Sequence, residues 1–205
     1  MFIDFENMDA TEAYHILTQT VVPRPVAWVL SENPDGDYNL APFSFFTPIT
    51  SNPPLLMFSV GRKPTDNAFK DTRVNIEARK DFVVHIAHRE LASAMTATSR
   101  TLPHGESELA DLGLELTPME GSRLPRLTDC HVAFACELYD IKEIGAAPQT
   151  LVFGLVKGVY VSDQATHLDD KGRLKIDAAA LDSIGRLGGS EYVTFGDILK
   201  VPRPS

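Results

Sequence analysis

The chain has 205 residues and a formal net charge of -9 at pH 7, with 43% hydrophobic and 23% charged residues. That acidity, with no basic run longer than two residues, excludes a surface built for a phosphate backbone, and no apolar run approaches the roughly 20 residues that span a bilayer. Neither nucleic-acid nor membrane binding is expected, and the length suits one domain, 1–205, that buries roughly 70% of its unfolded surface.

Met1 to Glu6 is acidic and lacks the positive region and apolar block of a secretory signal, so a cytoplasmic protein is expected. Asp9 to Leu17 predicts a short helix capped by Asp9 or Thr11, ended by the prolines at 23 and 25. Val26 to Ser31 is a strand by its β-branched and aromatic content, and Asp35-Gly36 predicts a turn that leads into a second strand.

Asn39 to Val60 is the unusual stretch. Asn39-Leu40-Ala41-Pro42-Phe43-Ser44-Phe45-Phe46 mixes rings, small hydroxyl residues and proline, and after Asn52-Pro53-Pro54 comes a short apolar run that predicts a buried strand. Two readings stand: two core strands joined by a proline-rich turn, or a surface for a flat heteroaromatic cofactor, which needs dry walls and fixed hydrogen bonds at its edge.

From Gly61 to Ile76 a basic turn runs into one or two helix starts, with Thr65 and Asp71 or Thr72 as candidate caps. Arg62, Lys63 and Lys70 beside a helix N-terminus form either an anion site or a solvated basic face. Asp81 to Ala87 predicts a strand, Arg89 to Thr98 a helix, Glu106 to Gly113 a short helix closed by its glycine, and Thr117 to Thr128 a loop.

Cys130 to Ile141 and Thr150 to Val161 predict two long strands in a hairpin. Cys130 and Cys136 read as buried free thiols that point the same way by strand parity. In the tail, Arg186-Leu187-Gly188-Gly189 lets backbone lie close to another surface. Strands that do not alternate with helices predict an antiparallel barrel, mainly β with short helices.

In order, Arg24-Pro25-Val26-Ala27-Trp28-Val29, Asn39 to Phe46, Asn52-Pro53-Pro54, Lys70-Asp71-Thr72 with Asn75-Ile76, and Phe82-Val83-Val84 resemble the flavin reductase-like, FMN-binding split-barrel family, in particular its flavoredoxin-like branch. The resemblance runs over a core of about 20–192 and implies a Greek-key split barrel, a homodimer, and one non-covalent FMN per subunit at or near the dimer interface. It implies that Asn39, Ala41, Pro42, Phe43, Ser44, Phe45 and Phe46 wrap the isoalloxazine, and that the segment holding Arg62, Lys63, Lys70, Asp71 and Thr72 takes the phosphate.

Arg186 either covers the flavin or binds a dinucleotide phosphate, or it is a surface arginine of the tail. The implied activity is NAD(P)H-dependent flavin reduction, with NADH or NADPH as donor and a free flavin, a partner protein or a small molecule as acceptor. The alternative is a flavoredoxin-like electron carrier without direct NAD(P)H activity. His85 stands where the family pattern has Asn, and no histidine or metal cluster is assigned to catalysis.

Overall fold

The computed structural model describes residues 1–109, 111–146, 148–202 and 204. Helix α1 (Ala10–Thr20) starts where expected, because the Asp9 carboxylate accepts hydrogen bonds from the Thr11 and Glu12 amides at 2.8 and 2.9 Å. Strands β1 (Ala27–Glu32) and β2 (Tyr38–Phe43) form the expected hairpin, and Gly36 at its turn has φ +92°, which glycine tolerates. Then follow β3 (Phe46–Ser51), β4 (Pro54–Val60), α2 (Asp71–Arg79), β5 (Asp81–Ile86) and α3 (Ala92–Ala97). After the short strands β6 (Leu116–Thr117) and β7 (Arg126–Leu127) come β8 (Val132–Ile144) and β9 (Gln149–Val161), the long hairpin. The tail carries β10 (Thr166–Leu168), β11 (Leu174–Ile176), α4 (Ala178–Leu181), β12 (Gly185–Arg186) and β13 (Tyr192–Val193).

Seven strands pair antiparallel in the order β2-β1-β5-β8-β9-β4-β3. The sheet curls until β2, at one end, comes against β4 near the other, with the Phe43 and Phe58 rings 5.4 Å apart. The result is an antiparallel Greek-key split barrel.

Strand parity divides the core in two. Ala27, Val29, Phe43, Phe58, Phe82 and Val84 fill the barrel interior, together with Ile76 from α2. Val26, Trp28, Leu30, Val83 and Ala133 face outward, where Leu91, Met95 and Leu124 cover them. Each large apolar side chain buried in this way contributes roughly 2–3 kcal/mol. The Trp28 indole N–H donates to the Thr98 hydroxyl at 2.9 Å, which fixes the C-terminal end of α3 over β1.

Several local expectations are corrected. Thr65 starts no helix, and α2 begins after Lys70 without a side-chain cap. Glu106 to Gly113 forms turns among its described residues, because Leu109 and Leu114 are drawn individually onto the outer core layer instead of sharing a helical face; Ala110 within that stretch lies outside the described residues. The stretch from Thr117 to Thr128 ends in the short β6–β7 ladder. Cys130 and Cys136 are free and buried but do not share a face: Cys130 precedes β8 and packs in the outer layer, whereas Cys136 lies in the barrel. Parity holds only within a strand, and β8 also carries a register shift at Ala135/Cys136.

Candidate functional site: an anion pocket joined to an aromatic-walled groove

The β2 edge, the N-terminus of α2 and the segment after α3 converge on a small cavity of about 60 Å³. Asn39, Ala41 and Pro42 come from β2, Lys70, Asp71 and Thr72 from α2 and its approach, and Ser99 to Leu102 from the far wall. The Leu40 amide turns away from β1 to donate to Glu108 Oε2 at 2.8 Å. Alternation then directs the Ala41 and Phe43 amides to β1 and leaves Pro42 on the open side, where a missing N–H costs no ladder bond.

The electrostatics of this cavity favour an anion. Lys70 is half-buried with no carboxylate partner among the described residues; its ammonium lies 5.8 Å from the Phe43 ring centroid, and burial lowers its pKa from the ordinary lysine value. It stands over the first turn of α2, whose initial amides have no side-chain cap. Lys63 is paired with Asp71 at 2.8 Å. Burial pushes the Asp71 carboxyl up, but hydrogen bonds from Lys63, His104 and the Gly105 amide outweigh it and hold Asp71 below its usual range. The buried Thr72 hydroxyl accepts from the Asn39 side chain at 2.9 Å, so these two residues brace each other at the cavity floor.

A second, larger cavity of about 430 Å³ adjoins the first, with Pro42 and Ser99 common to both. Its walls are Tyr14 and His15 of α1, Ser44, Thr96, and the tail from Arg186 to Tyr192. Buried Arg24 locks these walls together, donating to the carbonyls of Thr18, Val21 and Leu187 at 2.5, 2.7 and 2.9 Å. The tail approaches closely because Gly188 has no side chain: a Cβ there lies 2.6 Å from Gln19 Cγ. Arg186 lies 4.7 Å over the Tyr192 ring and donates to the Gly189 carbonyl. The combination of an unpaired half-buried cation, uncapped helix amides and an adjoining ring-walled groove fits a phosphorylated flat cofactor.

Of the residues marked from the sequence, Asn39, Ala41, Pro42, Lys63, Lys70, Asp71 and Thr72 meet in the small cavity, and Ser44 and Arg186 line the larger one. The rest lie elsewhere. Arg62 lies 3.4 Å over Phe69, which Arg73 covers from 3.3 Å, and both arginines reach Glu143. Phe43 is buried in the barrel, Phe46 packs against it, and Phe45 is exposed beside Tyr14, with ring centroids 6.3 Å apart. The rings that line the groove among the described residues are Tyr14, His15 and Tyr192.

Sequence reading missed Arg24, Ser99 to Thr101 and Glu108 as parts of the site. Hydroxyl residues flanking Arg100 just after a helix were the available signal for the second group; Glu108 gave none, since a surface helix was the simpler reading of its surroundings.

A curled antiparallel sheet with an anion pocket and aromatic-walled groove at one edge defines a split barrel of the flavin-handling kind. The chain belongs to the flavin reductase like domain family, whose pattern matches residues 19–175. It is 34% identical to an uncharacterized protein of Halalkalibacterium halodurans, covering 100% of this chain and 97% of that one. Among solved structures it is similar to nitrilotriacetate monooxygenase component B from Bacillus cereus, at 32% identity and a TM-score of 0.87 over 98% of each chain. It is also similar to the 2-nitrobenzoate 2-nitroreductase of Pseudomonas fluorescens, at 30% identity and a TM-score of 0.87, over 100% of this chain and 96% of that one. The family and these relatives place it among flavin-related oxidoreductases. No helix among the described residues is long and apolar enough to cross a membrane.

Proposed function

We propose that the protein is a flavin reductase that holds FMN non-covalently, takes a hydride from NADH or NADPH, and passes electrons to a free flavin, a partner protein or a small-molecule acceptor. The observation that carries this reading is Lys70, half-buried and without a carboxylate partner among the described residues, over an uncapped helix N-terminus at the closed end of the groove. FMN, when bound, supplies the hydride chemistry itself. The chain's part is to hold and shelter it. Lys70, Lys63 and the first amides of α2 take the phosphate, while Ala41, Pro42 and Ser44 offer the edge of β2 to the ring. Tyr14 and Tyr192 keep water from the groove, and Arg186 on the tail covers its mouth.

A homodimer belongs to the same proposal. Tyr14, Phe45 and Ile49 are 55, 41 and 47% exposed, and the stacked Tyr14–Phe45 pair sits at the rim of the groove, a surface suited to a second copy. Buried thiols suit a reducing cytoplasm: burial pushes Cys130 up to about 12, so it stays protonated.

The test is the visible spectrum of the purified protein reconstituted with FMN, followed under anaerobic conditions by NADH and then NADPH. Rapid bleaching by either nucleotide supports the reductase and names its donor. Persistence of the oxidised spectrum favours an electron carrier fed by another protein, and failure to take up FMN overturns the proposal.

A further inference from the structure

Glu108 is out of place in an anion pocket. It is 5% exposed, lines the same small cavity as Lys70 and Thr72, and pairs with no cation among the described residues. Its Oε2 accepts from the Leu40 amide at 2.8 Å, which fixes the carboxyl at the cavity wall. A second carboxylate, Asp71, shares the cavity, so an incoming phosphate would meet two negative groups. Asp71 is paired with Lys63 at 2.8 Å, and the Nδ1 of His104 lies 3.1 Å from its carboxylate. Glu108 has no such partner.

We infer that Glu108 makes phosphate capture in this pocket proton-coupled: the carboxyl is neutral when the anion is bound and presents its O–H to the cavity as a hydrogen-bond donor. The inference rests on the FMN reading above and adds a regulation of that site. The balance is simple. Where the empty pocket holds Glu108 ionised, one proton is taken from solvent onto the carboxylate for each phosphate bound; no covalent bond is made to the ligand. A neutral carboxyl removes one like charge from the phosphate's surroundings and converts an acceptor into a donor.

The local field supports this. Burial, chiefly, pushes Glu108 up to about 7 and Asp71 adds to the rise, while the Leu40 amide, its own amide and Arg100 oppose it. A bound dianion at this wall raises it further. The other charged groups facing the cavity are Lys63, Lys70, Arg100 and, through Asp71, His104. His104→Gln is the control that removes the imidazole beside Asp71.

The experiment is FMN binding to the intact protein, read by quenching of flavin fluorescence, between pH 7 and 9. In this interval a phosphate monoester, with its second pKa of about 6, keeps a constant charge. The wild type and His104→Gln are expected to weaken by up to about tenfold per pH unit. Glu108→Gln, which keeps an acceptor for Leu40 and mimics the neutral acid, is expected to bind with little pH dependence. Calorimetry of the wild type at pH 8 in two buffers of different ionisation enthalpy counts the protons, with uptake approaching one expected. Equal pH slopes in wild type and Glu108→Gln, or binding without proton uptake, overturn the inference while leaving FMN binding intact. Absence of FMN binding at every pH overturns the underlying reading as well.

Discussion

His85 accepts a hydrogen bond from the Leu127 amide at Nε2, 3.0 Å away, in a fully buried position between β5 and the β7 segment. An amide can only donate, so the ring proton must sit on Nδ1, which donates to the Trp28 carbonyl at 3.1 Å. The residue that stands in place of the family's Asn is thus a cross-link between β1, β5 and β7. It does not line the groove.

Burial, chiefly, lowers His85 from 6.5 to about 4. The unfolded chain binds the proton below 6.5 and the native state does not, so stability is full above that pH and falls as pH drops toward 4. The loss is about 3 kcal/mol across the window. Burial lowers His88 in the same direction. Urea unfolding between pH 4 and 7 should show this slope, and His85→Asn should make it shallower.

Lys70 and Arg62 are both cations of the basic turn, but only Lys70 lines the cavity. Lys70→Ala should weaken FMN binding by about 1.5–3 kcal/mol, the range for a hydrogen bond to a charged group. Arg62→Ala should leave affinity unchanged within error and cost some stability by uncovering Phe69. A flavin titration of both variants decides; equal losses would place the phosphate nearer Arg62.

Gly154 lies in β9 opposite Leu138 and Leu56, and a Cβ there comes 2.5 Å from the buried Phe82 ring. Gly154→Ala should therefore destabilise by about 1–3 kcal/mol through overpacking. Combined with Phe82→Leu, part of that cost should disappear, giving a non-additive double-mutant cycle in chemical denaturation.

Arg24 serves three carbonyls from α1, the following turn and the tail. Arg24→Lys should not restore them, because a single ammonium lacks the planar fork that reaches all three. Both Arg24→Lys and Arg24→Ala should lose about 2 kcal/mol or more and increase hydrogen exchange in α1 and around Leu187. Normal protection there would show that the groove's walls hold without it.

The proposed site was partly legible because short motifs carry local chemistry. Asn39 to Pro42 and Lys70 to Thr72 name a strand edge and a helix start, and those two elements meet. Glu108 was invisible because its role depends on which backbone amide its carboxylate finds, and Leu40 is 68 residues away in sequence. Arg62 misled for the opposite reason: it neighbours Lys63 in the chain, yet its guanidinium finds Phe69 and Glu143 instead.

By itself the sequence determined the main strands and hairpins, a helix start at Asp9 or Thr11 and the acidic balance, which follow from residue type and spacing over short range, and its ordered blocks carried the resemblance to the split-barrel family. Only the tertiary structure decided the orientation of Phe43 into the barrel, the separation of the two thiols, the Arg24 lock and the placing of Glu108 at the anion pocket. These depend on curvature of the sheet and on contacts between distant segments, where a half-turn of a strand or one register shift changes which side chain faces the cavity.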